Sequence, residues 1–357
     1  MDERQRTLLG QRANSVGRRR VVGAAVLAVV AAALFIGPLH AGHADSPVLT
    51  VYSGQHPATT QLLVQAFEAR TGINVQVRSA DEAALANQLL TEGAQSPADV
   101  FYGENPPSQQ LLSEHGMLAP VARATLAVVP ARYSSPRADW IGVSARASAF
   151  VYNSSKLGAQ RMPRSVLDLA TPTWKGKLGL APSETDFQPV VMAVRALVGQ
   201  DAALRWLQGL KANAAIYDSN EALTAAVNRG DVAAGIIDHY YWYRLADQVG
   251  ARGLHTKLYY FGHHDAGTLV SISGASVLAS SHHAAAAQAF VAFLVSRQGQ
   301  EIIAHSYSYE YPLSHGVQTA KGLRPFAQLQ QDAARLSLKD LGDGRAAISM
   351  LQNVGLL

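Results

Sequence analysis

The fold class follows from residues 48–104, which read VLTVYSGQHPATTQLLVQAFEARTGINVQVRSADEAALANQLLTEGAQSPADVFYGE. Three apolar or alternating stretches there have the pattern of strands, and the two stretches between them carry apolar residues at helical spacing. The predicted strands are residues 48–52, 73–77 and 98–102, and the predicted helices are residues 57–70 and 81–92. This β-α-β-α-β order predicts a parallel sheet with crossover helices, and hence an α/β fold.

The rest of the chain repeats this alternation less regularly. Further strands are predicted at residues 140–152, 232–237, 269–272 and 276–279, and further helices at residues 187–198, 201–210, 218–230, 283–295 and from about residue 323 onward. Asp218 is followed three residues later by Glu221. This spacing is typical of a capping box, so Asp218 is the predicted cap of the helix that ends near Gly230.

Residues 1–44 have the order of a secretory signal. Residues 2–20 are polar and end in three arginines, an apolar run extends from Val21 to Ile36, and small residues follow at 42–44. The run is shorter than the roughly 20 apolar residues of a membrane span, although residues 37–39 could extend it into an uncleaved anchor. The paired arginines are also compatible with twin-arginine export. We therefore predict an exported, periplasmic protein.

Composition excludes several classes of function. Six of the 30 Lys and Arg and two of the 26 Asp and Glu lie in residues 1–44, so residues 45–357 hold 24 of each sign and are formally neutral. Nothing there indicates a nucleic acid partner, which needs a clustered basic face. The chain has no cysteine, which excludes disulfides, thiolate metal sites and a cysteine nucleophile. Residues 45–357 exceed what one hydrophobic core usually holds, so two domains are expected.

Four polar side chains follow predicted strands, where open α/β sheets bind their ligands. His56 follows the first strand, Glu104 the third, and Tyr240 and Tyr241 follow the strand at 232–237. A free phenol has a pKa near 10 and becomes a phenolate at neutral pH only beside a strong positive charge. Oxygen ligands with one imidazole therefore suit ferric iron better than copper(I), which prefers sulfur.

Each of these residues also has a simpler interpretation. The two tyrosines are compatible with aromatic packing, Glu104 with a solvated loop acid, and His56 with a residue at the entry of a helix. We find no nucleophile elbow and no His-Glu-x-x-His pattern. An exported hydrolase therefore has no support from a motif, and we predict that the protein is not an enzyme.

Several segments in order carry a resemblance to a known family. They are LTVYSGQH at 49–56, SPADVFYGE at 96–104, DHYYW at 238–242, residues 265–275, and EYPL at 310–313. From Val48 to about Leu313 the chain resembles the periplasmic ferric-binding proteins of bacterial iron importers, a branch of the class II solute-binding proteins. The resemblance implies a two-lobed α/β fold of type II, joined by crossover strands that act as a hinge. Its four protein ligands to iron fall on His56, Glu104, Tyr240 and Tyr241.

The resemblance also implies an anion beside the iron. Members commonly bind a synergistic phosphate or carbonate at a helix N-terminus, where free amides favour negative charge. The corresponding positions are Asn105, Ser183, Glu184, Thr185, Asn220 and Asp238. Where the family has a small Ser-Gly-Ala stretch, this chain has Glu184-Thr185-Asp186. Two carboxylates there would repel phosphate. One hypothesis is therefore that Glu184 or Asp186 supplies an oxygen ligand itself or caps the helix. The alternative is that both side chains point to solvent and the anion still binds.

The family implies boundaries and partners as well. The first lobe is predicted at residues 48–147 and 270–317, and the second at residues 148–269 and 318–357. The protein would capture Fe³⁺ by closing the lobes and deliver it, as a monomer, to an inner-membrane ABC permease and its ATPase. The alternative function is a binding protein of the same fold for an organic solute, such as a phosphonate, a polyamine or a thiamine-like ligand. His239, His263 and His264 are predicted to be surface residues rather than further ligands.

Overall fold

The computed structural model describes residues 48–320 and 322–357. The predicted signal at residues 1–44 lies outside the described residues, so its cleavage and the alternative of an anchor stay predictions. Within the described ranges, the helices are all too short or too polar to cross a membrane.

Strands and helices alternate along the chain as the sequence pattern indicates. The strands are β1 (Leu49–Ser53), β2 (Val75–Ser79), β3 (Val100–Gly103), β4 (Leu118–Ala119), β5 (Ile141–Asn153), β6 (Leu178–Leu180), β7 (Ala214–Ile216), β8 (Ala234–Asp238), β9 (Thr256–Tyr259), β10 (Val270–Leu278) and β11 (Tyr311–Pro312). The helices are α1 (Pro57–Thr71), α2 (Glu82–Glu92), α3 (Pro106–Glu114), α4 (Arg123–Leu126), α5 (Phe187–Val198), α6 (Gln200–Asn213), α7 (Asn220–Arg229), α8 (His239–Gly253), α9 (Ala284–Leu294), α10 (Arg297–His305), α11 (Phe326–Asp332), α12 (Leu338–Leu341) and α13 (Arg345–Val354).

The strands join in the order β2-β1-β3-β10-β5-β8-β6-β7, with β4, β9 and β11 attached to β10 or β5. The predicted parallel pairing is confirmed, because β1 pairs in parallel with both β2 and β3. At the other end β6 pairs in parallel with β7 and β8. Strand β5 crosses between the halves, since Ile141–Ala147 pair with β10 and Ser148–Tyr152 pair with β8.

Two large hydrophobic cores lie on the two halves of this sheet. The first core includes Leu49, Phe67, Val100, Ile141 and Phe290, and the second includes Phe150, Leu178, Val191, Trp206 and Leu351. Two separate cores joined by β5 account for a two-lobed molecule. The predicted lobe boundaries stay a prediction. Leu323 and Leu329, which that prediction assigns to the second lobe, pack in the first core.

The structure corrects two local predictions. The cap of α7 is Ser219 and not Asp218, because the Ser219 side chain accepts a hydrogen bond from the backbone N–H of Ala222. The predicted strands at 269–272 and 276–279 form the single strand β10. Ser273 and Gly274 interrupt its apolar pattern, yet pairing with β5 continues across a shift of register between them.

Candidate metal site between the two cores

The candidate ligands come from strand ends on both halves of the sheet. His56 follows β1 and is the residue directly before α1, whose first residue is Pro57. Glu104 follows β3 directly. Tyr240 and Tyr241 lie in the first turn of α8, which begins directly after β8. The chain therefore places all four side chains where the carboxyl ends of strands meet, as expected for a ligand site in an α/β sheet.

Atoms of all four candidate ligands lie close together. The Tyr240 hydroxyl oxygen lies 3.1 Å from Glu104 Oε1, and His56 Nε2 lies 3.3 Å from the same oxygen. The His56 ring meets the Tyr240 ring edge-on, with 4.8 Å between their centroids. The Tyr240 and Tyr241 rings lie 4.3 Å apart. The lobes are thus closed, with residues of the first half in direct contact with residues of the second.

Asp186 completes this cluster from the start of α5. Its Oδ2 atom accepts hydrogen bonds from the hydroxyls of Tyr240, at 2.8 Å, and Tyr241, at 3.0 Å. Asp186 is the N-cap residue of α5 but makes no side-chain hydrogen bond to that helix. The carboxylate therefore turns toward the two phenols instead of capping the helix, and it is only 7% exposed.

His56 presents an unpaired nitrogen to this cluster. Burial, and then the positive charges of Arg244 and Arg146, hold the pKa of His56 well below its ordinary value. The imidazole is therefore neutral, and its approach to Glu104 is not an ion pair. His56 Nε2 is buried and has no hydrogen-bond partner. Buried polar atoms are nearly always paired, so this unpaired nitrogen fits a ligand to a metal.

Burial also raises the pKa values of the acidic groups. It raises the pKa of both phenols well above the ordinary value, and the adjacent Asp186 carboxylate is the next largest cause. Burial likewise raises the pKa of Glu104, although the Arg146 guanidinium opposes that shift. A cation that binds here would therefore displace protons from the phenols.

Two arginines supply positive charge around the ligands. Arg146 is fully buried, forms an ion pair with Glu310, and lies 3.4 Å from Glu104 Oε1. The Arg244 guanidinium lies 4.5 Å from the centroid of the Tyr240 ring. Cations over aromatic faces are attracted to the ring, so Arg244 also holds this ring in place.

The other predicted anion-binding residues differ in their contacts and in their exposure to solvent. Asn105 Nδ2 lies 3.3 Å from Asp186 Oδ1, whereas Glu184 Oε1 accepts at 3.4 Å from the backbone N–H of Asn220. Ser183 is exposed and Thr185 is half-buried. Asp186, Asn220 and Asp238 line a cavity of about 10 Å³. That volume holds about one water molecule, which is too small for a phosphate.

The three histidines that were predicted to lie on the surface have separate positions. His239 is fully buried, and the prediction that it lies on the surface is wrong because it opens α8 instead of continuing β8. Its Nδ1 accepts from the Ala147 amide and its Nε2 donates to the Tyr309 carbonyl, while burial lowers its pKa to about 3. His263 is exposed, and His264 is half-buried with Nδ1 3.0 Å from the Ala333 carbonyl oxygen.

A metal centre at this site requires the phenol oxygens of the two tyrosines. Among the residues that the structure describes, no group of three or more His, Cys, Asp and Glu side chains could hold a metal ion. Any metal centre built on His56, Glu104 and Asp186 therefore depends on Tyr240 and Tyr241. This composition favours a hard, highly charged cation over zinc or copper.

Comparison with known proteins agrees with this geometry. Residues 95–334 match the family model described as bacterial extracellular solute-binding protein. The chain is 40% identical to the Fe(3+)-binding periplasmic protein of Serratia marcescens, covering 89% of this chain and 93% of that one. It is 37% identical to the major ferric iron-binding protein of Neisseria meningitidis serogroup B, covering 86% and 93%.

A solved structure gives the same result for the fold. Iron-bound HitA from Pseudomonas aeruginosa superposes with a TM-score of 0.82 at 42% identity, over 86% of this chain and 99% of that one. The predicted type II, two-lobed α/β fold is thereby confirmed, as is the resemblance to ferric-binding proteins. The chain belongs to the bacterial extracellular solute-binding proteins.

Proposed function

We propose that this protein binds ferric iron between its two lobes through His56, Glu104, Tyr240 and Tyr241. The observation that carries the proposal is the buried, unpaired Nε2 of His56, which lies 3.3 Å from Glu104 and beside two phenols from the other half of the sheet. A neutral imidazole, a carboxylate and two potential phenolates form the mixed nitrogen and oxygen set that Fe³⁺ accepts.

The phenols make the proposal specific for a trivalent ion. Their pKa values are raised by burial, so a weakly charged ligand would leave them protonated. A trivalent cation at bonding distance favours the phenolate strongly enough to displace the proton. The names of the Serratia and Neisseria relatives, both ferric-binding, support the same cargo.

We further propose that Asp186 takes the place of an exogenous synergistic anion. Its carboxylate already contacts both phenols, and the space shared with Asn220 and Asp238 is about 10 Å³. Asn105, Ser183, Glu184, Thr185, Asn220 and Asp238 would then surround an internal carboxylate rather than hold phosphate or carbonate.

The proposed cycle is capture, closure and delivery. His56 and Glu104 belong to the first predicted lobe, and the tyrosines and Asp186 belong to the second. Closure of the hinge brings the two sets together around the ion, and opening releases it. The family and the relatives support a periplasmic binding protein that passes iron to an ABC permease and its ATPase. We also propose that the protein acts as a monomer, without enzymatic activity and without a nucleic acid partner.

A visible absorption spectrum during titration with ferric nitrilotriacetate tests the proposal. We expect a phenolate-to-iron charge-transfer band that saturates at one equivalent and disappears in the Tyr240→Phe, Tyr241→Phe double variant. Tyr259→Phe is the control, because Tyr259 hydrogen-bonds Pro163 away from the site. Absence of the band in the unchanged protein would favour an organic solute, such as a phosphonate, a polyamine or a thiamine-like ligand.

A further inference from the structure

We propose that Glu82 is a positioning residue of this site, because its carboxylate fixes the Asn105 side-chain amide in the orientation that donates to Asp186 across the cleft. The proposal rests on the iron-binding function above. Glu82 opens α2 and is only 3% exposed. In the sequence it looks like an ordinary acidic residue in the first turn of a helix, which is stabilising there without any further role.

The Glu82 carboxylate accepts three hydrogen bonds from the Glu104 segment. Its Oε2 accepts from the backbone N–H of Glu104, at 2.6 Å, and of Asn105, at 2.8 Å. Its Oε1 accepts from Asn105 Nδ2 at 2.9 Å. One buried carboxylate therefore holds both the backbone of a proposed ligand and the side chain that follows it.

Two glycines provide the space for this carboxylate. A Cβ atom at Gly54 would lie 2.3 Å from Glu82 Cβ, and one at Gly103 would lie 3.1 Å from Glu82 Oε2. The first distance is far inside van der Waals contact, so only glycine at position 54 lets α2 approach β1 closely enough. The loops after β1 and β3 are thus both shaped around Glu82.

Asn105 links this carboxylate to the opposite half of the site. Its Nδ2 donates to Glu82 Oε1 and lies 3.3 Å from Asp186 Oδ1, while its Oδ1 accepts from the Ser271 hydroxyl at 2.9 Å. Burial raises the pKa of Glu82 to about 7, so at about pH 8 its carboxylate is mostly ionised and only accepts hydrogen bonds. Glu82 therefore excludes the inverted amide, which would turn Asn105 Oδ1 toward it and toward Asp186.

A glutamine at position 82 cannot satisfy the same partners. Its single oxygen can accept from the two backbone N–H groups, but its NH₂ then opposes the Asn105 NH₂. Inversion of the Asn105 amide relieves that conflict and places Asn105 Oδ1 against the Asp186 carboxylate. The alternative rotamer instead sets the glutamine NH₂ against the backbone N–H of Glu104. Either arrangement disturbs the proposed ligands.

A double-mutant cycle of Glu82→Gln and Asp186→Asn tests this coupling. Iron affinity is measured against nitrilotriacetate at about pH 8. We expect Glu82→Gln to weaken binding about tenfold, the usual effect of losing a hydrogen bond to a charged group. In the Asp186→Asn protein, whose amide can rotate to donate to Asn105, the same substitution should weaken binding less than about threefold. Independent, additive effects would refute the proposal.

A compensating variant separates positioning from folding. In the Glu82→Gln, Asn105→Asp protein, the new aspartate accepts from the glutamine NH₂ but repels Asp186. We expect its iron-free melting temperature to match the unchanged protein while iron affinity stays at least about fivefold lower. Recovery of both properties would show that Glu82 is merely structural. The Glu82→Gln, Asn105→Asp variant also serves as the test if Glu82→Gln alone does not fold.

Glu92→Gln is the matched control. Glu92 lies at the other end of α2 and accepts hydrogen bonds from Tyr52 and Ser96, so its substitution should leave iron affinity unchanged.

The absorption spectrum and the double-mutant cycle together distinguish failure of the role proposed for Glu82 from failure of the proposed iron-binding function. A charge-transfer band in the unchanged protein with an additive cycle rejects only the role of Glu82. Absence of that band rejects the proposed iron site, and the role of Glu82 with it.

Discussion

Tyr240 and Tyr241 are phenols that donate hydrogen bonds to Asp186. Burial, and then the Asp186 carboxylate, raises the pKa of each phenol well above its ordinary value. The protonated form is therefore favoured at neutral pH. Coordination to Fe³⁺ requires phenolates, so the metal and the protons compete for the same oxygen atoms.

This competition predicts proton release on iron binding. At about pH 7 we expect about two protons released per iron, after correction for the chelator, and about one fewer in Tyr240→Phe. Since lower pH favours the phenols, the dissociation constant should rise by up to about 100-fold for each pH unit lost. A pH-stat titration measures the release. Fewer than about one proton per iron would exclude both phenolates as ligands.

Asp186 gives a second prediction at the level of one side chain. Because its carboxylate occupies the place beside the phenols, millimolar phosphate should change the iron affinity of the unchanged protein less than about twofold. Asp186→Ala removes that charge and frees the N-terminus of α5, which attracts anions. We expect this variant to bind iron weakly alone and at least about tenfold more tightly with phosphate.

Equilibrium competition with and without phosphate measures both effects. Asp201→Ala is the control, because Asp201 is an exposed residue near the start of α6. A large gain with phosphate in the unchanged protein would contradict an internal carboxylate ligand. Equal affinity of Asp186→Ala and the unchanged protein without phosphate would contradict it as well.

At the scale of elements, the sequence pattern predicted the strand before α8 but not the start of α8 itself. Strand β8 was predictable from its apolar run, but the run does not reveal that the chain turns into a helix at His239. That turn places His239 in the hinge region, between Ala147 and Tyr309. Tyr240 and Tyr241 then face the cleft from the first helical turn. Local periodicity could not distinguish this arrangement from a continued strand.

The sequence likewise predicted the bounds of α2 but not its tertiary contacts. Its bounds were predictable, because Asp81 caps it and Gly93 ends it. The contacts of Glu82 with residues 104 and 105 were not, since they depend on how closely α2 packs beside β1 and β3. His56, Glu104 and the tyrosines were identified by resemblance to a family. Glu82 and Arg146 carry no such signal, because their roles come from tertiary contacts alone.

At the scale of the whole molecule, the proposed iron site bridges two cores that are otherwise largely separate. Strand β5 connects them, and buried Arg146 in β5 is paired to Glu310. Direct contacts across the cleft include the polar ones of Tyr240 with Glu104 and of Asn105 with Asp186. An ion bound by residues from both halves would connect the two cores directly across the cleft.

Iron should therefore stabilise both cores together. At a free iron concentration about 1,000 times the dissociation constant, binding adds about 4 kcal/mol to the free energy of unfolding, which for a chain of this size raises the melting temperature by about 6 °C. Differential scanning calorimetry with buffered ferric nitrilotriacetate measures this shift. His56→Ala and Tyr240→Phe, which each remove one ligand from opposite cores, should both reduce it. If iron raised only one of two resolved transitions, or if His56→Ala left the shift unchanged, the metal would be held by a single core, and closure of the cleft around it would be excluded.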